Sequence, residues 1–325
     1  MRLLILLLFG LFAALALSVA FGETSLAFAQ YADAFAQPGS PQGEILFGIR
    51  APRACAAALT GAALGLAGAV MQGLLRNPLA EPGVLGVSAW SGAAAALAIV
   101  LGLGAIPWAI ESAALGGALA AGAAVAVLAA RFREPETLIL FGVALAALGG
   151  AMTALIFNLS PSPVTLADVL AWLQGSLANR DWSDLGAALA PMALGAGFCA
   201  YAAGSLRMLA LGDETAALSG LPMARLRVAA VAGAALLTGA SVAMAGVIGF
   251  VGLAAPHLVR GAASDDPARV LAPSAIAGAI LLVLADLLAR VIPSETELRL
   301  GVVTALFGAP LFALVAWRAA RSWRA

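Results

Sequence analysis

Residues 53–103 read RACAAALTGAALGLAGAVMQGLLRNPLAEPGVLGVSAWSGAAAALAIVLGL. After Arg53 the stretch to Leu75 is uncharged, long enough to cross a ~30 Å hydrocarbon layer as a helix, and rich in the Gly and Ala through which membrane helices approach one another closely. It stops at Arg76-Asn77-Pro78-Leu79-Ala80-Glu81-Pro82-Gly83. Two prolines there remove backbone donors and forbid a continuous helix, leaving a rigid irregular loop. That loop either gates a pore or turns the chain. An apolar stretch resumes at 84, and span, break, span is the pattern of a polytopic helical membrane protein.

Working outward, the same pattern recurs. Apolar stretches at 2–22, 53–75, 84–103, 107–130, 137–158, 183–206, 226–247, 248–263, 271–291 and 300–318 predict about ten transmembrane helices in a single all-α membrane domain covering 1–325. The first, with Arg2 ahead of about 20 apolar residues, suits a retained helix better than a signal peptide. Composition agrees: of 325 residues 63% are hydrophobic and 10% charged, with a mean hydropathy of +1.02, so lipid is the chief solvent. Low aromatic content and 36 glycines favour closely packed helices over a β-barrel with aromatic girdles.

Charge excludes several function classes. Seventeen basic residues balance seventeen acidic ones, which gives no support to a nucleic-acid partner. Every basic residue is Arg. Without Lys there is no Walker A phosphate loop and no Schiff-base chemistry, so any ATP consumed is hydrolysed by another subunit and this chain carries no cofactor of its own. Cys55 and Cys199 lie far apart in apolar stretches, and His257 is the one histidine, so neither a disulfide framework nor a metal site is expected. No Ser/His/Asp or paired-carboxylate constellation offers catalytic residues.

Arginine counting orients the chain. With the N-terminus in the cytoplasm, Arg2, Arg76, Arg131, Arg133, Arg207, Arg225, Arg227, Arg260, Arg269, Arg318, Arg321 and Arg324 fall inside, whereas Arg50, Arg53, Arg180, Arg290 and Arg299 fall outside. Both termini are then cytoplasmic. A shift of 178 positions superposes Thr60-Gly61-Ala62, Ala67-Gly68 and Pro78 on Thr238-Gly239-Ala240, Ala245-Gly246 and Pro256. Under this topology the copies run in opposite directions, predicting inverted repeats of helices 2–5 and 7–10; convergent small-residue packing is the alternative. Such a repeat also admits an ion-coupled secondary transporter, for which Asp286 is the one candidate intramembrane site.

Three segments carry candidate function. Residues 207–227 form the longest cytoplasmic stretch, with Leu211, Leu218 and Leu221 apolar beside Asp213 and Glu214, and breaks at Gly212, Gly220 and Pro222. Two short helices joined at an angle are predicted, either docking a soluble partner or lying in the membrane interface. Arg50-Ala51-Pro52-Arg53 stands where the outer loop enters the second helix. Those guanidiniums either pair with carboxylates of an external partner or snorkel at a helix end. Asp286 and Arg290, four apart, share a helix face and predict a structural ion pair.

Taken together, Arg50-Ala-Pro-Arg53, the run from Gly65 to Ser88, Trp172-Leu-Gln-Gly-Ser176, Gly249-Phe-Val-Gly-Leu-Ala-Ala-Pro-His-Leu-Val-Arg260 and Gly301-Val-Val-Thr-Ala-Leu-Phe-Gly-Ala-Pro310 resemble the FecCD-type permeases, membrane subunits of ABC importers for iron-siderophores, haem and vitamin B12. The resemblance covers nearly the whole chain from about Gly43, with a poor match in the outer loop from Glu23 to Gly43. It implies a homodimer in the bacterial inner membrane, two cytoplasmic ATP-binding subunits and a periplasmic substrate-binding protein. It implies that Arg50, Arg53 and Arg290 receive acidic residues of the binding protein. Residues 207–222, including Leu211, Gly212, Asp213, Glu214, Ala217, Leu218 and Gly220, would be the ATPase-coupling helices. Asn77 and Leu79, with Glu136 and Thr137, would form a cytoplasmic gate.

Overall fold

The computed structural model describes residues 2–132, 134–160, 162–263, 266–292 and 297–322, without the side chains of residues 213, 217, 263, 315, 316 and 318–322. Of the arginines used to orient the chain, Arg133 and Arg324, and the side chains of Arg318 and Arg321, lie outside the described residues. The helices are α1 (Arg2–Ala20), α2 (Phe28–Ala36), α3 (Pro41–Gly43), α4 (Ala51–Leu75), α5 (Val87–Val100), α6 (Ala109–Arg131), α7 (Pro135–Leu159), α8 (Pro163–Leu173), α9 (Trp182–Ala210), α10 (Asp213–Leu218), α11 (Met223–Ala245), α12 (Val251–Ala263), α13 (Pro267–Val291) and α14 (Leu300–Ser322). Among the described residues there is no strand.

Seven of the ten stretches read as spans form helices long and apolar enough to cross a membrane. Of the other three, α5 and α12 are shorter, and α14 runs 23 residues with side chains described without a gap only as far as Leu314. α5 has 14 residues and α12 has 13, about 21 and 20 Å at the helical rise of ~1.5 Å, and the described apolar part of α14 is Leu300–Leu314. Two further corrections concern the connections. Residues 23–43 are not a bare loop, because they hold α2 and α3, and the stretch between α7 and α9 holds α8.

The second span begins earlier than its apolar run. Helical structure is continuous from Pro41 to Leu75, passing through a π-helical turn at Glu44–Arg50. Pro52 explains the turn: inside a continuous α-helix its ring collides with the carbonyl four residues back, and a wider π turn just ahead relieves that collision. Arg50 and Arg53 therefore sit within a helix and not where a loop enters one.

Glycines set the packing. On α4, Gly61, Gly65 and Gly68 fall on one face, and a methyl group on any of them would collide with backbone carbonyls, those of Gly278 and Ser274 on α13 and of Gly252 on α12. Backbone-to-backbone approach of this kind supplies the dispersion that holds membrane helices together where lipid provides no hydrophobic drive. On α11, a Cβ at Gly239 would strike Ala118 of α6, and one at Gly233 would strike Cys199 of α9. Gly61 and Gly239 are one of the pairs matched by the 178-residue shift, and each seats a helix of the other half. The contacts repeat the relation: α4 packs on α13 as α11 packs on α6, α5 on α6 as α12 on α13, and α4 and α11 meet each other. The central helices α4 and α11 are mostly buried, whereas α1 and α7 present most of their surface outward.

Candidate functional site

Charged groups gather at one end of the bundle. Antiparallel packing of α13 on α4 brings Asp286 beside Arg53, whose Nε donates to Oδ1 and Oδ2 at 3.0 and 3.1 Å and whose Nη2 donates to Oδ1 at 2.8 Å. Arg290, one turn on from Asp286, reaches Oδ2 at 3.1 Å. Glu297, just before α14, accepts from Arg53 Nη1 at 3.1 Å and also from Nη2. Arg290 further donates to the Ser18 Oγ at 2.6 Å and to the Ser18 carbonyl at 3.2 Å. Arg50 donates to the carbonyls of Val19 and Ala20 at 3.2 and 2.8 Å, and to that of Thr24. Arg50 and Arg290 thus cap the C-terminal end of α1, where a helix leaves carbonyls unpaired and favours cations.

The expected Asp286–Arg290 pair is present, and Arg53 makes it a triad. All three arginines are buried, with Arg50 4%, Arg53 8% and Arg290 7% exposed, and Asp286 is wholly enclosed. The guanidiniums are therefore engaged within the chain and do not snorkel freely to solvent. Arg53 as the partner of Asp286 escaped the sequence reading, which searched along one helix. A charge inside an apolar run needs an opposite charge somewhere, and Arg53 faced that requirement as plainly as Asp286 did.

At the opposite end, α9 stops at Ala210 and Gly212 takes φ 106°, Gly220 φ 72°. Between these breaks stands one short helix, α10, where the sequence predicted two; the flanking residues are simply the ends of α9 and α11. Ala216 is buried against the main core, while Leu211 and Leu218 are 63% and 88% exposed and Glu214 is also exposed. The side chains of Asp213 and Ala217 lie outside the described residues. Close by, Asp266 caps α13 by accepting from the Ala268 N–H at 3.0 Å and pairs with Arg207 at 2.8 Å. The Arg207 hydrogen bond holds the Asp266 carboxyl below its ordinary range.

Asn77 closes the turn after α4: its side-chain oxygen accepts from the Leu79 N–H at 2.9 Å, and its own N–H reaches the Gln72 carbonyl at 3.2 Å. Arg76 ends the helix in the left-handed region. The loop then lies against α7, where Leu85 and Val84 meet Gly142 so closely that a Cβ there would clash. Glu136 is exposed in the first turn of α7 and Thr137 is half-buried. Among the described residues no hydrogen bond joins Asn77 or Leu79 to Glu136 or Thr137.

Between the ends, three helix breaks are stitched together. The Ser176 N–H bonds to the Ala245 carbonyl at 2.9 Å, Leu300 N–H to Gly175 at 3.0 Å, and Gly301 N–H to Gln174 at 2.9 Å. Gly175 and Gly246 adopt φ 77° and 73°, and a Cβ on Gly246 would collide with the Trp172 carbonyl. Irregular backbone at membrane depth survives only where its polar groups are satisfied or line a cavity. Here an open groove of about 590 Å³ adjoins the breaks, lined by Gln174, Val247, Gly301, Ala305, Leu306 and Ala309. Among the described residues no group of three His, Cys, Asp or Glu side chains converges.

The FecCD transport family model matches residues 7–318. The chain belongs to that family. It is 41% identical over 286 residues to the vitamin B12 import system permease protein BtuC of Escherichia coli O157:H7, covering 87% of this chain and 86% of that one, and equally so to BtuC of Shigella flexneri. A solved structure described as an inward-facing conformation of a putative metal-chelate type ABC transporter matches with a TM-score of 0.87 at 30% identity, over 98% of this chain and 99% of that one. As a FecCD family member the chain is the multi-pass permease subunit of an ABC importer, a transport subunit and not an enzyme. Family membership sets aside the ion-coupled secondary transporter, and the buried Asp286 is held between Arg53 of α4 and Arg290 of α13.

Proposed function

We propose that this permease works as a homodimer in the bacterial inner membrane, with the Gly212 end cytoplasmic, passing a bulky chelated metal from a periplasmic binding protein across the membrane at the expense of ATP hydrolysed by two separate subunits. Vitamin B12 is the first cargo proposed. Its support is the 41% identity to BtuC, and a cobalt corrinoid is itself a metal chelate, the cargo class in the description of the structural relative.

The observation that carries this reading is α10. A six-residue helix between two left-handed glycines, anchored beneath by Ala216 and exposing Leu218, with Leu211 exposed just ahead of it, forms an apolar knob. It fits a groove in an ATPase subunit, so that ATP-driven approach of two such subunits moves α10 as a rigid body and with it α9 and α11. Glu214 lies on the exposed surface beside it, and Asp213 and Ala217 belong to the same helix. The Asn77–Leu79 turn and the start of α7 at Glu136 and Thr137 are the proposed gate, since the loop rests on α7 and moves with it. At the far end, Arg50, Arg53 and Arg290, gathered around Asp286 and Glu297, are the proposed meeting point for acidic residues of the binding protein.

The knob is tested by Leu218→Asp. The expected outcome is at least tenfold weaker association with the ATPase subunits, about 1.4 kcal/mol, at unchanged thermal stability of the permease. Unaltered association overturns the coupling role.

A further inference from the structure

We propose that Glu297 is an intramolecular stand-in for the binding protein: it occupies Arg53 while the transporter is undocked, and a carboxylate of the binding protein replaces it on docking. This inference rests on the docking role proposed above for the arginine cluster.

Arg53 holds two carboxylates that differ in every respect relevant to exchange. Asp286 takes the Nε–Nη2 edge, is gripped from its other side by Arg290 at 3.1 Å, and has a side chain 1% exposed. Its departure would strand two guanidiniums in a buried site, which costs several kcal/mol. Glu297 takes Nη1 and shares Nη2, both its hydrogen bonds run to Arg53, and its side chain is 21% exposed. It is the more solvent-facing carboxylate of the cluster, carried on a connection and not on a packed helix. Arg50 and Arg290 are occupied by carbonyls of the α1 end, so Arg53 is the guanidinium whose partner can be exchanged.

Exchange of one carboxylate for another leaves the charge of the cluster unchanged. No buried cation is left unpaired before docking, and none after it, so the barrier that normally attends breaking a buried pair is avoided. A neutral side chain cannot replace Glu297 without leaving Arg53 short of a counter-charge, which makes the exchange a filter for acidic partners. Docking affinity then reflects the difference between two similar contacts, suited to a partner that must bind and leave in each cycle.

The test uses the complete transporter in lipid nanodiscs and its periplasmic binding protein, with affinity measured for five variants. Glu297→Gln is expected to bind at least fivefold tighter, and Glu297→Asp, whose arm is one methylene shorter, to tighten binding as well. The gain must vanish when Arg53→Gln is added. Glu44→Gln, an exposed carboxylate at the same end, should change affinity less than twofold. Unchanged or weaker binding by Glu297→Gln, a gain that persists without Arg53, or an equal gain from Glu44→Gln overturns the exchange. If Arg53→Gln alone leaves binding intact, the docking role itself falls.

Discussion

Arg53 on α4 and Asp286 on α13 stand 233 positions apart and meet through three hydrogen bonds of 2.8–3.1 Å. The pair joins the two halves of the repeat at one end of the bundle, just beyond the glycine face where α4 and α13 touch backbone to backbone. Removing one member leaves an uncompensated charge in a buried site. Asp286→Asn, which keeps the shape and loses the charge, is expected to destabilise the permease by about 3–5 kcal/mol. Thermal unfolding of the purified protein in detergent measures it. Glu297→Gln leaves Arg53 paired with Asp286 and should cost less than Asp286→Asn.

The glycine contacts predict a sharp positional contrast. Gly65→Val on α4 places side-chain carbons into the Ser274 carbonyl, and the strain is expected to cost about 1–3 kcal/mol or more. At Gly116 on α6 an added Cβ meets nothing within 4 Å, and Gly116→Ala should leave stability within about 0.5 kcal/mol. Yield of folded monodisperse protein and its unfolding temperature separate the two.

Acid sensitivity has a defined sign at Asp266. Its folded pKa lies below the ordinary 3.8 because Arg207 hydrogen-bonds and faces the carboxylate. A depressed pKa means that the pair stabilises the fold above the ordinary carboxylate range and that this contribution is lost as pH falls through the lowered value. Arg207→Gln should therefore lower the unfolding temperature slightly at neutral pH, the pair being partly exposed, and the difference from the parent should close as pH falls through the lowered value. A difference that grows in acid would contradict the assignment.

Much of this architecture was legible from local chemistry. Apolar length located the seven long helices, because a spanning helix must satisfy its backbone internally, and Gly212 and Gly220 marked the limits of α10. The misses share a cause. α8 and the short α12 adjoin the stitched breaks at Gln174, Gly246 and Gly301, which are contacts between segments far apart in sequence and leave no periodicity, and α5 is bounded by the left-handed Gly86 and Gly102. The π turn before Pro52 is a local response that a reading of apolar runs places in a loop. At the charged end, residue types were read correctly but their pairing was not: the partner of Asp286 is fixed by how α4 lies on α13, and no spacing rule contains that crossing.

The most direct test of the importer assignment is uptake of radiolabelled cyanocobalamin into proteoliposomes containing this permease and its ATPase subunits, with ATP enclosed in the lumen and the binding protein outside. Accumulation that requires ATP, the ATPase subunits and the binding protein, and that stops with Leu218→Asp, is the predicted result. Accumulation that persists without the ATPase subunits under an imposed proton gradient would contradict it.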